Sequence, residues 1–367
     1  MRTLNFSARV NDIFSAMDTS YDEMNSLMQD LALGREIYDA ETDRVISKAE
    51  ANARVLDFSR QILGITDIKD RTAVRRALRD NAREWFDIIE DTVEVVIEAG
   101  FTSSMWFNNL VETKTIAYGD RQDFYVENDA LLSVAKAGTS HHDHIMQRIG
   151  AGQPITIPTD LYVIKVGADI NKYVVGQVDW AKLVAKIAES YIAEIQSVVY
   201  TAVSTAATQL PVQTSAFIGT GTIVKANFDA IIENVSAANG GAPVVLMGTK
   251  AALANLSALV PVNWIADKQK DSFADTGLIG VYEGNILVEI PQRFADRSLT
   301  TKIFPSNVIM IMPQVEDKFV KLVDEGDTQI LEKTERGDYQ SDLQSYEVQR
   351  RFGVGVVIGR QFGQWTI

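Results

Sequence analysis

Residues 177–207 read QVDWAKLVAKIAESYIAEIQSVVYTAVSTAA and carry the strongest helical pattern in the sequence. Apolar side chains recur there without a break at three- and four-residue spacing, with Lys and Glu on the other side. At 1.5 Å per residue, about 30 residues span about 45 Å, longer than most helices of globular proteins. We therefore predict a single long helix over Gln177 to Ala207 that forms the backbone of an elongated molecule.

The first hundred residues differ in composition from the rest of the chain. They hold 33 of the 84 Asp, Glu, Lys and Arg residues, three of the 23 glycines and none of the eight prolines, which all lie between Pro154 and Pro313. This composition is typical of helices. The sequence therefore predicts a separate N-terminal helical arm over residues 1–100.

The clearest helix of this arm runs from about Asp70 to Glu98. Arginines occupy its N-terminal half and carboxylates its C-terminal half, the reverse of what the helix dipole favours. One interpretation is a solvated face with i,i+4 ion pairs. The other is that both halves meet complementary charge on a second subunit. Under the second interpretation the candidate contacts are Arg75, Arg76, Arg79, Arg83, Glu90 and Glu94.

Residues 101–170 have an extended, loop-rich pattern. Thr113 to Tyr118 and Gln122 to Val126 flank Gly119-Asp120, a turn pair, so we predict a hairpin there. A second extended pair follows, Pro154 to Ile157 and Leu161 to Val166. Irregular segments this long usually serve a function or a partner. The segment is therefore expected to reach outward, with Tyr118, Gly119 and Asp120 as candidate contacts.

Beyond the long helix, residues 209–312 alternate between helix and strand patterns, which predicts a small α/β domain with a mixed sheet. The predicted elements are a helix over Thr222 to Ala237, a buried strand over Pro243 to Met247, a helix over Lys250 to Leu259 with Thr249 as its N-cap, and strands over Asn285 to Ile290 and Val308 to Met312. From Tyr346 to Ile358 the even positions are apolar apart from Arg350, and this period of two predicts a long strand.

Residue counts argue against most familiar hydrolase chemistry. The chain has no cysteine, and its three histidines all lie in His141-His142-Asp143-His144. No phosphate-binding loop, nucleophile elbow or His-Glu-x-x-His motif is present. We expect no catalytic residue, cofactor or metal, and the histidine segment is interpreted as a solvated loop tip. A metal-dependent enzyme that uses this cluster is the alternative.

The charge balance and the apolar patterning limit the partners. The formal net charge of −14 argues against nonspecific coating of nucleic acid, which needs excess Lys and Arg. No stretch approaches the roughly 18 apolar residues of a membrane span. Arg9 and Asp12 lie where a signal peptide needs its apolar region. We expect a soluble protein, made in the cytosol, with no membrane partner.

This order of parts resembles the major capsid proteins of tailed bacteriophages, which share the Hong Kong 97-type α+β fold. Short stretches also look similar, namely Val174 to Trp180, Pro243 to Leu256, Gly277 to Asn285 and Tyr346 to Gly359. The resemblance implies an N-terminal arm (1–100), an extended loop with peripheral strands (101–170), a spine helix of the peripheral domain (171–208), an axial domain (209–312) and a return to the peripheral sheet (313–367).

The same resemblance implies a structural function without an active site. The chain would self-assemble as hexamers and pentamers into the icosahedral head shell that encloses double-stranded DNA, after synthesis in the host bacterial cytoplasm. Its partners would be other copies, a portal, scaffolding or decoration proteins, and packaged DNA through weak contacts without sequence specificity. Some relatives cross-link a lysine to an asparagine, but no motif assigns that reaction to Lys114, Lys136, Asn108 or Asn109. An encapsulin-like bacterial compartment is the alternative with the same fold.

Overall fold

The computed structural model describes residues 8–16, 20–38, 45–102, 104–126, 153–168, 180–208, 215–257, 259, 280–294, 299–315, 318–333, 344–356 and 361–367. The chain divides into two compact units. One comprises Met1–Ser104, Asp160–Ile195 and Gly326–Phe352, and the other comprises Met105–Thr159, Gln196–Glu325 and Gly353–Ile367. Because the chain passes repeatedly between the units, neither of them is a continuous segment.

Helices and strands alternate along most of the described chain. The helices are α1 (Ala8–Ala16), α2 (Tyr21–Leu33), α3 (Lys48–Leu63), α4 (Arg71–Thr102), α5 (Met105–Leu110), α6 (Trp180–Thr208), α7 (Lys225–Ala238) and α8 (Lys250–Ser257). The strands are β1 (Ile37–Tyr38), β2 (Val45–Ile46), β3 (Val111–Ile116), β4 (Asp123–Val126), β5 (Gln153–Thr156), β6 (Asp160–Ala168), β7 (Ile218–Thr220), β8 (Val244–Gly248), β9 (Val281–Tyr282), β10 (Asn285–Glu289), β11 (Val308–Pro313), β12 (Val320–Lys333), β13 (Gln344–Val356) and β14 (Gly363–Thr366).

Helices α1 to α4 pack into a bundle with its own core. The Phe58 ring contacts both Phe14 and Trp85, with ring centroids 5.2 Å and 6.1 Å apart. Helix α4 begins where the Asp70 carboxylate accepts hydrogen bonds from the backbone N–H groups of Thr72 and Ala73, at 2.9 Å and 3.1 Å. The helices predicted for the N-terminal region are therefore present.

The prediction of a separate arm differs from the structure. Helix α4 contacts later parts of its own unit, because Gly100 lies against the Ile192 side chain of α6. A Cβ atom at Gly100 would come within 2.3 Å of that side chain. The Glu90 carboxylate also accepts a hydrogen bond from the backbone N–H of Ile330 on β12. Composition separates the first hundred residues, but packing joins them to segments far away in sequence.

Helix α6 confirms the predicted long helix over the described residues. Its inward positions are almost fully buried, including Val184, Tyr191, Ile195 and Val199. The Tyr191 hydroxyl donates a hydrogen bond to the backbone carbonyl of Val348 on β13, at 2.6 Å. The apolar pattern thus predicts both the helix and the side that it buries.

A mixed six-stranded sheet forms the predicted α/β domain. Its strand order is β7-β14-β11-β8-β10-β9, with parallel β8–β10 and antiparallel β8–β11 pairs. All five residues of β8 are buried. The Thr249 hydroxyl caps α8 by accepting from the Ala252 N–H at 3.4 Å. One difference concerns residues 313–367, since the last strand, β14, pairs with β11 and β7 in this sheet.

The four-stranded sheet has the order β3-β12-β13-β6, and a two-stranded sheet joins β4 to β5. The predicted hairpin is wrong, although its strands and turn are present. Strand β3 pairs in parallel with β12, and β4 pairs antiparallel with β5. A local turn signal cannot reveal such distant partners.

Strand β13 confirms the predicted C-terminal strand. Its even positions Val348, Arg350 and Phe352 are buried, and Glu347, Gln349 and Arg351 are half-buried. Arg350 interrupts the apolar face and donates a hydrogen bond to the Thr328 hydroxyl at 3.0 Å. The buried arginine is therefore accommodated by a polar neighbour.

Candidate functional site

The arginines predicted as intersubunit contacts lie in the N-terminal half of α4. Arg76 is exposed, whereas the side chains of Arg75, Arg79 and Arg83 lie outside the described part of the structure. Spacing of three or four residues puts Arg75, Arg79 and Arg83 on neighbouring positions of one helix face. The helix backbone therefore supports a shared face for these three positions.

Several carboxylates in the acidic half of α4 have hydrogen-bond partners within the chain. Glu84 accepts a hydrogen bond from the Arg9 guanidinium at 2.8 Å, and Asp91 accepts one from the Tyr21 hydroxyl at 2.5 Å. Glu90, a predicted intersubunit contact, is held by the Ile330 N–H within its own chain. Glu94 is half-buried and also has a partner in the chain. These carboxylates therefore take part in packing of the chain on itself.

The turn predicted at Tyr118, Gly119 and Asp120 is present and exposed. Tyr118 exposes 69% of its surface, and the Asp120 N–H donates to the Ala117 carbonyl at 3.0 Å. Gly119 has a φ of 85°, in the left-handed region that favours glycine. Its N–H donates to Oε1 of Glu325 at 2.9 Å. The turn thus exposes the Tyr118 side chain, and Glu325 on β12 holds the backbone of the turn in place.

The β4–β5 hairpin is attached to the four-stranded sheet through Phe124. This ring is 5% exposed and packs with Ile157 and Val323. Two lysine ammonium groups lie near the same ring, with the Nζ atoms of Lys114 and Lys321 at 4.8 Å and 5.5 Å from its centroid. Cation–π attraction therefore adds to the apolar contact.

Lys321 is a buried cation beneath this hairpin. It exposes 2% of its surface and forms an ion pair with Glu112 on the neighbouring strand β3. Lys114 lies 3.7 Å from the same carboxylate. Lys114, which no motif assigns to a cross-link with Asn108 or Asn109, contacts Glu112 and Phe124. Lys136 lies outside the described residues.

The chain between β5 and β6 crosses closely over β13. A Cβ atom at Gly353 would lie 2.1 Å from the Pro158 carbonyl oxygen, and one at Gly355 would lie 2.7 Å from Ile157. Only a residue without a side chain permits this approach. The glycines that alternate with apolar residues in β13 therefore mark where a second segment passes over the strand.

Sequence reasoning missed Glu325 and Lys321, because strand β12 itself was not predicted. Its sequence from Val320 to Glu325 mixes apolar and charged residues without a clean period of two. Charged side chains are rarely buried without partners. A signal was nevertheless present. The strand places three charged residues among Val320, Leu322 and Val323, and charged residues within such an apolar run indicate buried groups that need partners.

Burial also affects the pKa of Tyr191. Loss of solvent raises the pKa of its hydroxyl above the ordinary value, and the nearby Arg350 charge opposes part of this effect. The hydroxyl therefore remains a hydrogen-bond donor to Val348 over the neutral range. This contact joins helix α6 to strand β13.

The described residues contain no group of three or more His, Asp, Glu or Cys side chains placed to hold a metal ion. His141, His142, Asp143 and His144 lie outside the described residues. Across the same described part of the chain, no helix has both the length and the apolar character needed to cross a bilayer.

Solved structures share this fold at low sequence identity. The bacteriophage PhiM1 mature capsid is similar with 14% identity and a TM-score of 0.50, over 72% of this chain and 86% of that chain. The capsid of a native GTA particle has 10% identity, a TM-score of 0.48 and coverage of 71% and 89%. A Microbacterium phage Oxtober96 structure has 12% identity, a TM-score of 0.47 and coverage of 72% and 90%. The fold is the Hong Kong 97 type of phage capsid proteins.

A match to a family model identifies the family of the chain, which the fold alone does not. Residues 23–366 match the model described as "SPbeta prophage-derived putative capsid protein YonB". The chain therefore belongs to this family of capsid proteins, and it is a structural protein of the virion, with the function of a tailed-phage major capsid protein. No individual curated protein matches the chain at a significant level.

Proposed function

We propose that copies of this chain assemble as hexamers and pentamers into the icosahedral shell that encloses the double-stranded DNA of a tailed bacteriophage. The match of residues 23–366 to a capsid-protein family carries the proposal. A shell subunit needs no reacting groups, because its function depends on the free energy of its contacts with neighbours. Specific contacts of this kind commonly bury about 1,600 Å² for each pair.

Two surfaces are proposed as contacts between subunits. The first is the basic half of α4, where Arg75, Arg76, Arg79 and Arg83 would pair with carboxylates of an adjacent subunit. The exposure of Arg76 supports this surface. The second is the turn from Tyr118 to Asp120, where an exposed aromatic side chain favours burial against a partner.

Further partners belong to the same proposal. A portal protein, and scaffolding or decoration proteins, would contact the assembled shell, and assembly would take place in the host bacterial cytoplasm. Packaged DNA would touch the shell weakly and without sequence specificity. The net charge of −14 supports weak contact, because like charges require counterions between protein and DNA.

Electron microscopy of the purified chain tests the assembly directly. We expect closed shells of uniform diameter, and a particle that contains nucleic acid favours a phage head over a compartment filled with protein cargo. If the chain forms nothing larger than small soluble species at high protein concentration, the proposal is contradicted. Shells that consistently hold a protein cargo and no nucleic acid would favour the encapsulin-like alternative.

Charge reversal tests the first contact surface. The variant R76E/R79E should reduce the yield of shells at least about tenfold, because each reversal replaces an attraction by a repulsion across the contact. K48E/K69E is the matched control, since it makes the same change in charge at two exposed cations of the same N-terminal region. A normal yield of R76E/R79E shells would exclude these arginines as intersubunit contacts.

A further inference from the structure

Glu325 is a buried carboxylate whose two oxygens bind two distant parts of the chain. It exposes 7% of its surface. Oε1 accepts from the Gly119 N–H at 2.9 Å, and Oε2 accepts from the Thr159 hydroxyl. Hydrogen bonds to an ionised carboxylate are shorter and stronger than those between neutral groups. One side chain therefore holds two backbone segments by directional contacts.

These two contacts bracket a single excursion of the chain. Gly119 precedes residues 120–158 and Thr159 follows them, and the β4–β5 hairpin belongs to this segment. The segment leaves the four-stranded sheet after β3 and returns to it at β6. Glu325 is thus positioned where the excursion begins and where it ends.

The hairpin has a second attachment of a different chemical kind. Phe124 is held by apolar contact with Ile157 and Val323 and by the nearby lysines. Apolar contact is not directional, so it can hold the hairpin on the sheet without setting the angle at which the chain departs. The carboxylate contacts fix that angle, because hydrogen bonds weaken steeply when they bend.

We propose that Glu325 is a positioning residue for shell assembly, which sets the direction in which the β4–β5 hairpin and the Tyr118 turn face a neighbouring subunit. This inference rests on the proposed function, since it requires that these elements contact another copy. Glu325 acts by fixing both ends of the excursion rather than by contact with the neighbouring subunit.

Hydrogen exchange of the unassembled chain tests the attachment by itself. In Glu325→Ala both acceptor oxygens are lost, so exchange at Gly119 and in residues 153–159 should become at least about tenfold faster. Thr159→Val should accelerate exchange in residues 153–159, and Thr159→Ser should keep the wild-type rate. Asp327→Ala is the matched control, because this carboxylate lies two residues further along β12 and is exposed.

Shell yield tests the consequence of the attachment. Glu325→Ala and Thr159→Val should lower the yield of closed shells at least about tenfold or give misshapen particles, while Thr159→Ser and Asp327→Ala should assemble normally. Unchanged exchange in Glu325→Ala would overturn the inference. Faster exchange with normal shells would overturn it as well, since positioning would then be irrelevant to assembly. If the wild-type chain forms no shells, the proposed function fails, whereas the exchange data still report on the attachment.

Discussion

The two larger sheets of this protein differ in the polar groups that they bury. Strands β8 and β11 of the six-stranded sheet bury apolar residues, such as Leu246 and Ile311. The four-stranded sheet buries apolar residues as well, such as Val323 and Phe352, but adds charged and polar groups, namely Lys321, Asp324, Glu325, Thr328 and Arg350. The first sheet is stabilised mainly by removal of apolar surface from water. The second combines apolar burial with directional contacts to segments distant in sequence.

This difference matches the organisation of the two regions. The six-stranded sheet and helices α7 and α8 build an apolar core, which includes Trp365 of the last strand, β14. The four-stranded sheet is a junction, where the excursion through residues 120–158 begins and ends. A junction needs defined angles as well as stability, and hydrogen bonds supply them. A self-contained core needs only good packing.

The largest effect is expected in the apolar core of the six-stranded sheet. Phe228 on α7 is fully buried and contacts the rings of Tyr282 and Trp365, at centroid distances of 5.8 Å and 5.7 Å. Phe228→Ala should lower the free energy of unfolding by about 3–5 kcal/mol. Urea denaturation measures this change. Ile286→Ala, at a side chain that is 41% exposed, is the control and should cost less than about 1 kcal/mol.

If Phe228→Ala proved as mild as its control, the six-stranded sheet would not depend on packing. Apolar burial would then not be what distinguishes this sheet from the four-stranded one.

An intermediate effect is expected where the chain crosses β13. Gly353→Ala would push a methyl group into the Pro158 carbonyl, a backbone atom, and should cost about 2–3 kcal/mol. Gly355→Ala meets the flexible Ile157 side chain, so its cost should be smaller by about 1 kcal/mol or more. Thermal denaturation of the two variants measures the difference. Equal costs would mean that the crossing segment is not held rigidly over the strand.

The smallest effect concerns Tyr191, and it depends on pH. Tyr191→Phe removes the hydrogen bond to the Val348 carbonyl and should cost about 1 kcal/mol at pH 8. The pKa of Tyr191 is raised above the unfolded value of about 10. Its contribution is therefore fully present below about pH 10 and declines as the pH rises from there toward the folded-state pKa. The stability of wild type should fall more steeply above pH 10 than that of the variant.

Urea titrations near pH 8 and near pH 10.5 compare the two proteins. Parallel losses of stability in both would show that Tyr191 ionises as easily in the folded chain as in the unfolded one.

The elements of this fold are predictable from the sequence where local pattern and burial agree. Helix α6 keeps one apolar face over its whole length, and Thr249 caps the following helix α8 as the sequence indicates. Strand β8 is a short apolar run, and all of it is buried. In each case the apolar or hydrogen-bonding character of the residue itself predicts where its side chain lies.

The pairing of strands and the partners of charged groups are not predictable in the same way. The Gly119-Asp120 turn is real, yet β3 pairs with β12, about two hundred residues later. Glu90 resembles any exposed helical carboxylate until the Ile330 N–H reaches it. Glu325 likewise gains its significance only from Gly119 and Thr159, which tertiary structure brings to it. Such contacts depend on long-range topology, which local periodicity does not contain.

A cryo-electron microscopy reconstruction of the purified assembly would show directly whether these elements form contacts between subunits. We expect a closed icosahedral shell in which the β4–β5 hairpin and the Tyr118 turn of each subunit are buried against an adjacent copy, while Glu325 still holds Gly119 and Thr159. A chain that sediments only as a monomer at high concentration, or a shell in which these elements face solvent, would contradict it.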